Sequence, residues 1–350
     1  MKLDLTAYNL FGTLPEEMYL LSGLQRLEVQ DNRLYGTLPS SFGTMPLLTW
    51  MLISSNHFTG ISPALGAMSH LSYLDMNGNL IHEPLPSVLC SMYALTYLSL
   101  QSNYINGTLP SCMVQLSALE NLGLTGNNIT GGIPSFFGDM SSLDSIAFKY
   151  NQHLGGTVPS SLCSRSTLSY LTFQSSSISG TLPACFGDFS LLAAVNFGDN
   201  RLSGSFPSEF CSMSSLTQIY INYNQITGTL PTCLQEMSSL EIFAVGNNQF
   251  SGPFPELLPA SLTNIWFEFN DLTGTLPSIL GDNSGLIQIL INSNHFTGTI
   301  PASIGNLLQL TYLNIEENSL TGKLLWVLVD TYYNSISLRC TLVYMLLYYE

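Results

Sequence analysis

The sequence predicts an α/β repeat solenoid, with a parallel β-sheet on a concave face and irregular or 3-10 segments on the convex face. Three observations predict it. A single pattern, L-x-x-L-x-L-x-x-N-x-L-x-G-x-L-P, recurs down the chain, as in Leu24 to Pro39. Within it, apolar and variable residues alternate over a short strand, which is the two-residue period of a half-buried strand. A Gly and a Pro then punctuate each unit, and coils of this kind bury their apolar faces only by stacking on one another.

The Asn slot of the pattern defines fourteen coils, at Tyr8, Asn32, Asn56, Asn79, Asn103, Asn127, Asn151, Ser176, Asn200, Asn224, Asn248, Asn270, Asn294 and Asn318. Most intervals are 24 residues; those after Asn56 and Asn248 are 23 and 22, and an added residue before Gly156 makes one of 25. These changes fall outside the strand, where a coil can absorb them. At the bend, the Asn amide is expected to satisfy backbone groups of its own coil and the next. Tyr8 cannot do this, and Ser176 can do so in part. Gly36, Gly60, Gly107 and their equivalents are expected to permit a turn. The following Pro fixes φ and holds its predecessor extended. Apolar residues three and six positions after the Pro, such as Phe42 and Met45 or Phe210 and Met213, are expected to close the far side of the core.

The composition suits such a fold. Of 350 residues, 45% are hydrophobic and only 9% charged, and 8 Lys+Arg against 23 Asp+Glu give a net charge of −15. Phosphate backbones and anionic lipid headgroups are repelled by such a surface, so nucleic acid is not an expected partner. No apolar run reaches the ~18 residues of a membrane span, and no leader-like stretch follows Met1-Lys2-Leu3. The repeats are expected over residues 1–325 as one domain without an N-terminal cap. Residues 326–350 read as an irregular apolar tail, either a partial cap or sequence foreign to the repeats.

The 24-residue spacing with Gly107-Thr-Leu-Pro110 or Gly298-Thr-Ile-Pro301 resembles the plant-type leucine-rich repeat. That subclass occurs in the ectodomains of receptor-like kinases and receptor-like proteins and in polygalacturonase-inhibiting proteins. Coils such as Phe137-Gly-Asp-Met-Ser-Ser-Leu143 are also similar to leucine-rich-repeat surface antigens of trypanosomatid protists and their free-living relatives. The resemblance implies a cell-surface or secreted protein that binds a protein, peptide or glycan. It implies membrane attachment only through an anchor that this chain lacks. The chain departs from the secreted members in having no capping repeats, and it has no kinase domain.

Six of seven cysteines form couples 22 residues apart: Cys90 and Cys112, Cys163 and Cys185, Cys211 and Cys233. One coil step and a two-residue offset place such Cα atoms at roughly 5–7 Å, within bridging reach. Three disulfides with Cys340 free is one reading, and small half-buried apolar residues the other. Asn106-Gly-Thr108 and Asn128-Ile-Thr130 are glycosylation sequons in expected turns.

No signature of catalysis, cofactor or metal binding stands out. The five His lie in different coils, and the carboxylates of the concave face (Asp4, Glu28, Asp75, Glu268, Glu316, Glu317) are spread along it. The candidate ligand contacts are aromatic. Trp50, Tyr73 and Tyr97 share one outward strand slot in successive coils; Tyr220 and Tyr223, then Trp266 and Phe269, form a second group. Exposed aromatics contribute much contact area for little lost rotamer freedom, although neighbouring rings also stabilise a sheet by cross-strand pairing. The expectation is a non-enzymatic recognition module with the first row as its leading contact. The alternative is a structural or adhesive surface coat without one defined ligand.

Overall fold

The computed structural model describes residues 1–164 and 167–322, so the 326–350 tail and Cys340 lie outside the described residues. The chain divides between Ser179 and Gly180 into two compact units. In the first, eight short strands pair in parallel, one per coil: Lys2–Asp4, Arg26–Glu28, Trp50–Leu52, Tyr73–Asp75, Tyr97–Ser99, Asn121–Gly123, Ser145–Ala147 and Tyr170–Thr172. Leu98 pairs with Leu122 and Trp50 with Tyr73, so the register keeps equivalent residues of successive coils side by side. The second unit repeats this arrangement with six: Ala194–Asn196, Gln218–Tyr220, Ile242–Ala244, Asn264–Trp266, Gln288–Leu290 and Tyr312–Asn314. Each unit is a stack of leucine-rich-repeat coils with a main parallel sheet.

The alternation decides which way each side chain goes. The middle residue of each strand (Leu27, Met51, Leu74, Ile219, Phe243, Ile265) is buried, and its two neighbours look outward. Behind the sheet, 3-10 turns follow the Pro of most coils, as at Ser40–Thr44 and Ser208–Ser212, and drop Phe42 and Phe210 fully into the core. Tilted and edge-on phenyl rings fill the space between, for example Phe148 tilted against Phe173 with centroids 5.5 Å apart.

The Asn of the bend reaches back, not forward. Asn56 Nδ2 donates to Ile53 O and Ser54 O of its own coil and to Val29 O of the preceding one at 2.9 Å, while its Oδ1 accepts the N–H of Leu34 at 3.0 Å. The expected bridge to the following coil therefore runs in the opposite direction, because the preceding coil's carbonyls and N–H groups are the ones left open beneath the amide. Ser176 supplies the donor half as well, its hydroxyl bonding Phe148 O and Gln174 O, both at 3.1 Å.

The residue before each Asn adopts a left-handed conformation in every coil, although only Gly78 and Gly126 among the fourteen are glycines. Even Tyr223 (φ 55°) and Phe269 (φ 52°) are held so. Such backbone costs a bulky residue about 1–2 kcal/mol, and the Asn bonds beside it hold it in place.

The punctuation segment is more than a turn. In the second unit it forms a further parallel ladder: Arg201–Ser205, Gln225–Thr229, Gln249–Pro253, Asp271–Thr275, His295–Thr299 and Ser319–Thr321. The first unit has only fragments, Phe11–Gly12 with Arg33–Gly36 and His57–Phe58, and Asn106–Gly107 with Asn128–Ile129. The breaks have local causes. In the fourth coil Glu83-Pro84 replaces the Gly-x pair; proline has no N–H to donate, and the Glu83 carboxylate accepts the N–H of Ile61 at 2.7 Å instead. The seventh coil carries the added residue before Gly156.

Candidate ligand-binding face

Three outward positions per coil build the open face of the main sheet, two, four and six residues before the Asn. Successive strands lie about 4.8 Å apart, so each position generates a row of side chains.

In the first unit, the row six before the Asn brings Trp50, Tyr73 and Tyr97 together. Trp50 stacks on Tyr73 with centroids 3.6 Å apart, and Tyr73 on Tyr97 at 4.2 Å, the planes within 8° and 1° of parallel. The Arg26 guanidinium lies 4.4 Å from the centroid of the Trp50 ring. These rings are half-buried, not freely exposed as the sequence suggested, because stacking at strand spacing turns their faces toward each other. Burial pushes the Tyr73 phenol pKa up, with Tyr97 adding to the shift. Arg26 also bonds Glu28, and Lys2 bridges Glu28 and Asp4, each at 3.0 Å, so Glu28 is a buried, paired carboxylate. Alongside, Asn77 Oδ1 accepts from Ser99 Oγ at 2.6 Å and from the N–H of Gln101 at 2.8 Å. Asp75 accepts the N–H of Asn77, and burial raises its pKa.

In the second unit, the four candidate aromatics separate. Tyr220 and Trp266 both stand four before their Asn, in the tenth and twelfth coils, with centroids 6.1 Å apart. They meet because the eleventh coil places only Ala244 between them. Tyr223 and Phe269 instead occupy the left-handed position at the bend, 55% and 50% exposed, beyond the end of the strand. Trp266 Nε1 donates to Gln288 Oε1 at 3.1 Å. Sequence reasoning passed over Glu268 as one scattered carboxylate. Its carboxylate lies over Gly246, so close that a Cβ on that glycine would stand 2.3 Å from Oε1. Oε2 is buried without a partner, and burial raises the carboxyl pKa. The signal in the sequence was a small residue one coil before an acid in the same slot.

On the side opposite the main sheet, Cys90 and Cys112 are disulfide-bonded with Cα atoms 5.7 Å apart, and Cys211 and Cys233 with theirs 5.9 Å apart. The third couple, Cys163 and Cys185, has one member in each unit. Asn106 and Asn128 are exposed and face each other across one short strand pair, with Asn106 Nδ2 donating to His82 O at 2.7 Å. Among the described residues, no group of three or more His, Cys, Asp or Glu is placed to hold a metal ion, and no helix is long and apolar enough to cross a membrane.

Family patterns described as leucine-rich repeat match residues 22–81, 94–116, 118–140 and 215–237. No curated protein matches. Among solved structures, the chain is similar to the plant peptide hormone receptor RGFR1 in complex with RGF2: 30% identity, TM-score 0.85, covering 91% of this chain and 51% of that one. It is also similar to the Arabidopsis receptor kinase HAESA ectodomain with an IDA peptide hormone (27%, TM-score 0.68, 91% of this chain and 62% of that one). A third is a leucine-rich-repeat protein of Leptospira interrogans (25%, TM-score 0.75, 89% and 77%). The chain thus spans about half the length of the RGFR1 chain that it matches.

Proposed function

This chain is a leucine-rich-repeat protein with plant-type coils, and on that premise we propose that it is a non-enzymatic recognition module that takes an extended peptide across the open face of its main sheet. The observation that carries the reading is the register. In each unit, outward slots of successive coils align into rows over an unbroken apolar core, so the face is held rigidly while its side chains vary. Rigid presentation limits the ordering cost of binding. RGFR1 with RGF2 and HAESA with IDA are structures of peptide-hormone complexes, which supports a peptide over other ligands. A glycan would stack on open ring faces, and in the Trp50–Tyr73–Tyr97 row both faces of Tyr73 are taken up by its neighbours.

A cell-surface or secreted setting fits the disulfide bridges, which persist in oxidising compartments, and the exposed sequons at Asn106 and Asn128. A structural or adhesive coat role draws on one observation, the same self-stacked row, which stabilises the sheet whether or not a ligand exists.

Selection of a displayed peptide library on the secreted chain tests the reading. Alanine substitution of outward residues (Tyr97, Tyr170, Gln218, Gln288) should weaken a selected peptide, with at least one position costing about 2 kcal/mol. Leu308→Ala, at an exposed site in the segment after a 3-10 turn, should leave it unchanged. Loss at Leu308 with no loss at any outward residue would remove the main sheet from the argument.

A further inference from the structure

We infer that the second unit holds an arginine side chain of the peptide ligand against Tyr220 and Trp266, with Glu268 and Asn292 as its hydrogen-bond acceptors; this rests on the peptide reading above. Four observations lead there.

The first is the shape of the eleventh coil. Two of its outward residues are Ala244 and Gly246, and larger side chains of the neighbouring coils close over them: Tyr220 and Trp266 over Ala244, and Glu268 over Gly246. A tilted aromatic pair and a carboxylate thus share one patch, about 7 Å apart along the strand. Aromatic faces attract cations, and arginine in particular stacks on them.

The second is a pair of acceptors without donors. Glu268 Oε2 and, one coil on in the same row, Asn292 Oδ1 are both buried and accept nothing. Asn292 as a whole is 7% exposed. Its orientation is set by its neighbours: the Ser293 hydroxyl donates to Glu317 at 2.6 Å, so Ser293 Oγ is left to accept from Asn292 Nδ2 at 3.3 Å. The amide oxygen is thereby the atom left over. Buried acceptors without donors are costly, and a guanidinium brings five N–H donors.

The third is charge. From Leu202 through Gly322 the sequence contains no Lys or Arg, against nine Asp and Glu. Among the described residues of this unit the one Lys or Arg is Arg201, in the punctuation ladder rather than the main sheet. The coils that form the patch supply no such cation, so it must arrive with the partner. The fourth is internal precedent. In the first unit Arg26 rests 4.4 Å from the Trp50 centroid while bonding Glu28 two residues away. The second unit has the aromatic pair and, two residues past Trp266, the acid, but not the arginine.

The test uses the full chain and two probes, acetyl-Gly-Arg-Gly-amide and its citrulline counterpart, a neutral isostere, followed by saturation-transfer NMR. The arginine probe should bind in the millimolar range and at least about tenfold more tightly than citrulline. Glu268→Gln should remove that preference and Trp266→Ala should weaken the arginine probe roughly tenfold, while Leu308→Ala, exposed and away from the main sheet, should leave both probes as they were. Near-ultraviolet circular dichroism establishes that each variant is folded, and Glu268→Gln, which keeps the shape, carries the decision should Trp266→Ala unfold. Equal binding of the two probes, or an unchanged preference in Glu268→Gln, overturns the inference. A selected peptide that binds the sheet but ignores Glu268→Gln also overturns it and leaves the peptide reading standing. Arginine binding that depends on Glu268, with no peptide selected on the face, sinks the peptide reading and leaves the arginine site.

Discussion

The two units use the same coil to opposite ends. In the first, most outward side chains engage each other: Arg26, Trp50, Tyr73 and Tyr97 form one stack, Glu28 is paired with Lys2 and Arg26, and Asn77, Ser99 and Gln101 bond together, although Gln30 Oε1 and Trp50 Nε1 are buried without partners. In the second, Tyr220 and Trp266 meet over a gap, and Glu268 and Asn292 keep acceptor atoms without donors. The punctuation ladder shows the reverse contrast, fragmented in the first unit and continuous over six strands in the second. A repeat therefore fixes a scaffold while leaving each region to place its regularity on one face or another. The second unit has the more regular flank and, on its main sheet, a more open aromatic pair beside a carboxylate oxygen without a donor, which is where a partner has most to add.

The largest effect expected from this contrast is at the aromatic row. Tyr73→Ala removes a ring stacked on both sides and should cost about 2 kcal/mol, read from the urea midpoint at constant slope. Tyr220→Ala, which removes a tilted contact rather than a two-sided stack, should cost about 1 kcal/mol or less. Equal costs would mean that the first row is no more self-satisfied than the second pair.

The ladder offers a second comparison, of somewhat smaller size. Gly298 has φ 75°, and a Cβ there would stand 2.9 Å from the Thr275 methyl of the preceding coil. Gly298→Ala should cost about 1–2 kcal/mol. Gly60 lies beside the break, outside the left-handed region, and a Cβ there meets the movable end of Glu83. Gly60→Ala should cost less, and a larger loss than at Gly298 would refute the account of the break.

The smallest effect is a dependence on pH. Burial raises the Glu268 pKa in the folded chain, so the folded state binds that proton more tightly than the unfolded state does. The associated stability is present below the ordinary glutamate range and is lost as pH rises through the raised value. Glu268→Gln should therefore raise the melting temperature slightly at neutral pH, with the gain disappearing in acid. A gain independent of pH would assign it to packing rather than to the buried charge.

Most of the scaffold was legible in the residues. The Asn spacing located every main strand, the alternation set the inward and outward faces of each strand, and residues after the Pro such as Phe42, Met45, Phe210 and Met213 were correctly placed in the far wall. The punctuation ladder was not legible, because Gly and Pro read as turn formers. Only the neighbouring coil shows that the segment between them has strand partners. The direction of the Asn bonds was missed for a similar reason: the side chain announces unsatisfied backbone nearby but does not say on which side.

The sequence by itself determined the coil, its register and the composition of each outward row, since these depend on residues within one 24-residue period. The tertiary structure alone decided which outward residues remain available. Whether a ring offers its face or its edge, or a carboxylate finds a donor, depends on side chains one coil away, brought within a strand spacing only by stacking. Trp50, Tyr73 and Tyr97 read as the most open group and proved mutually covered. Glu268 read as one acid among several and became conspicuous only when Gly246 came to lie beneath it and Asn292 beside it.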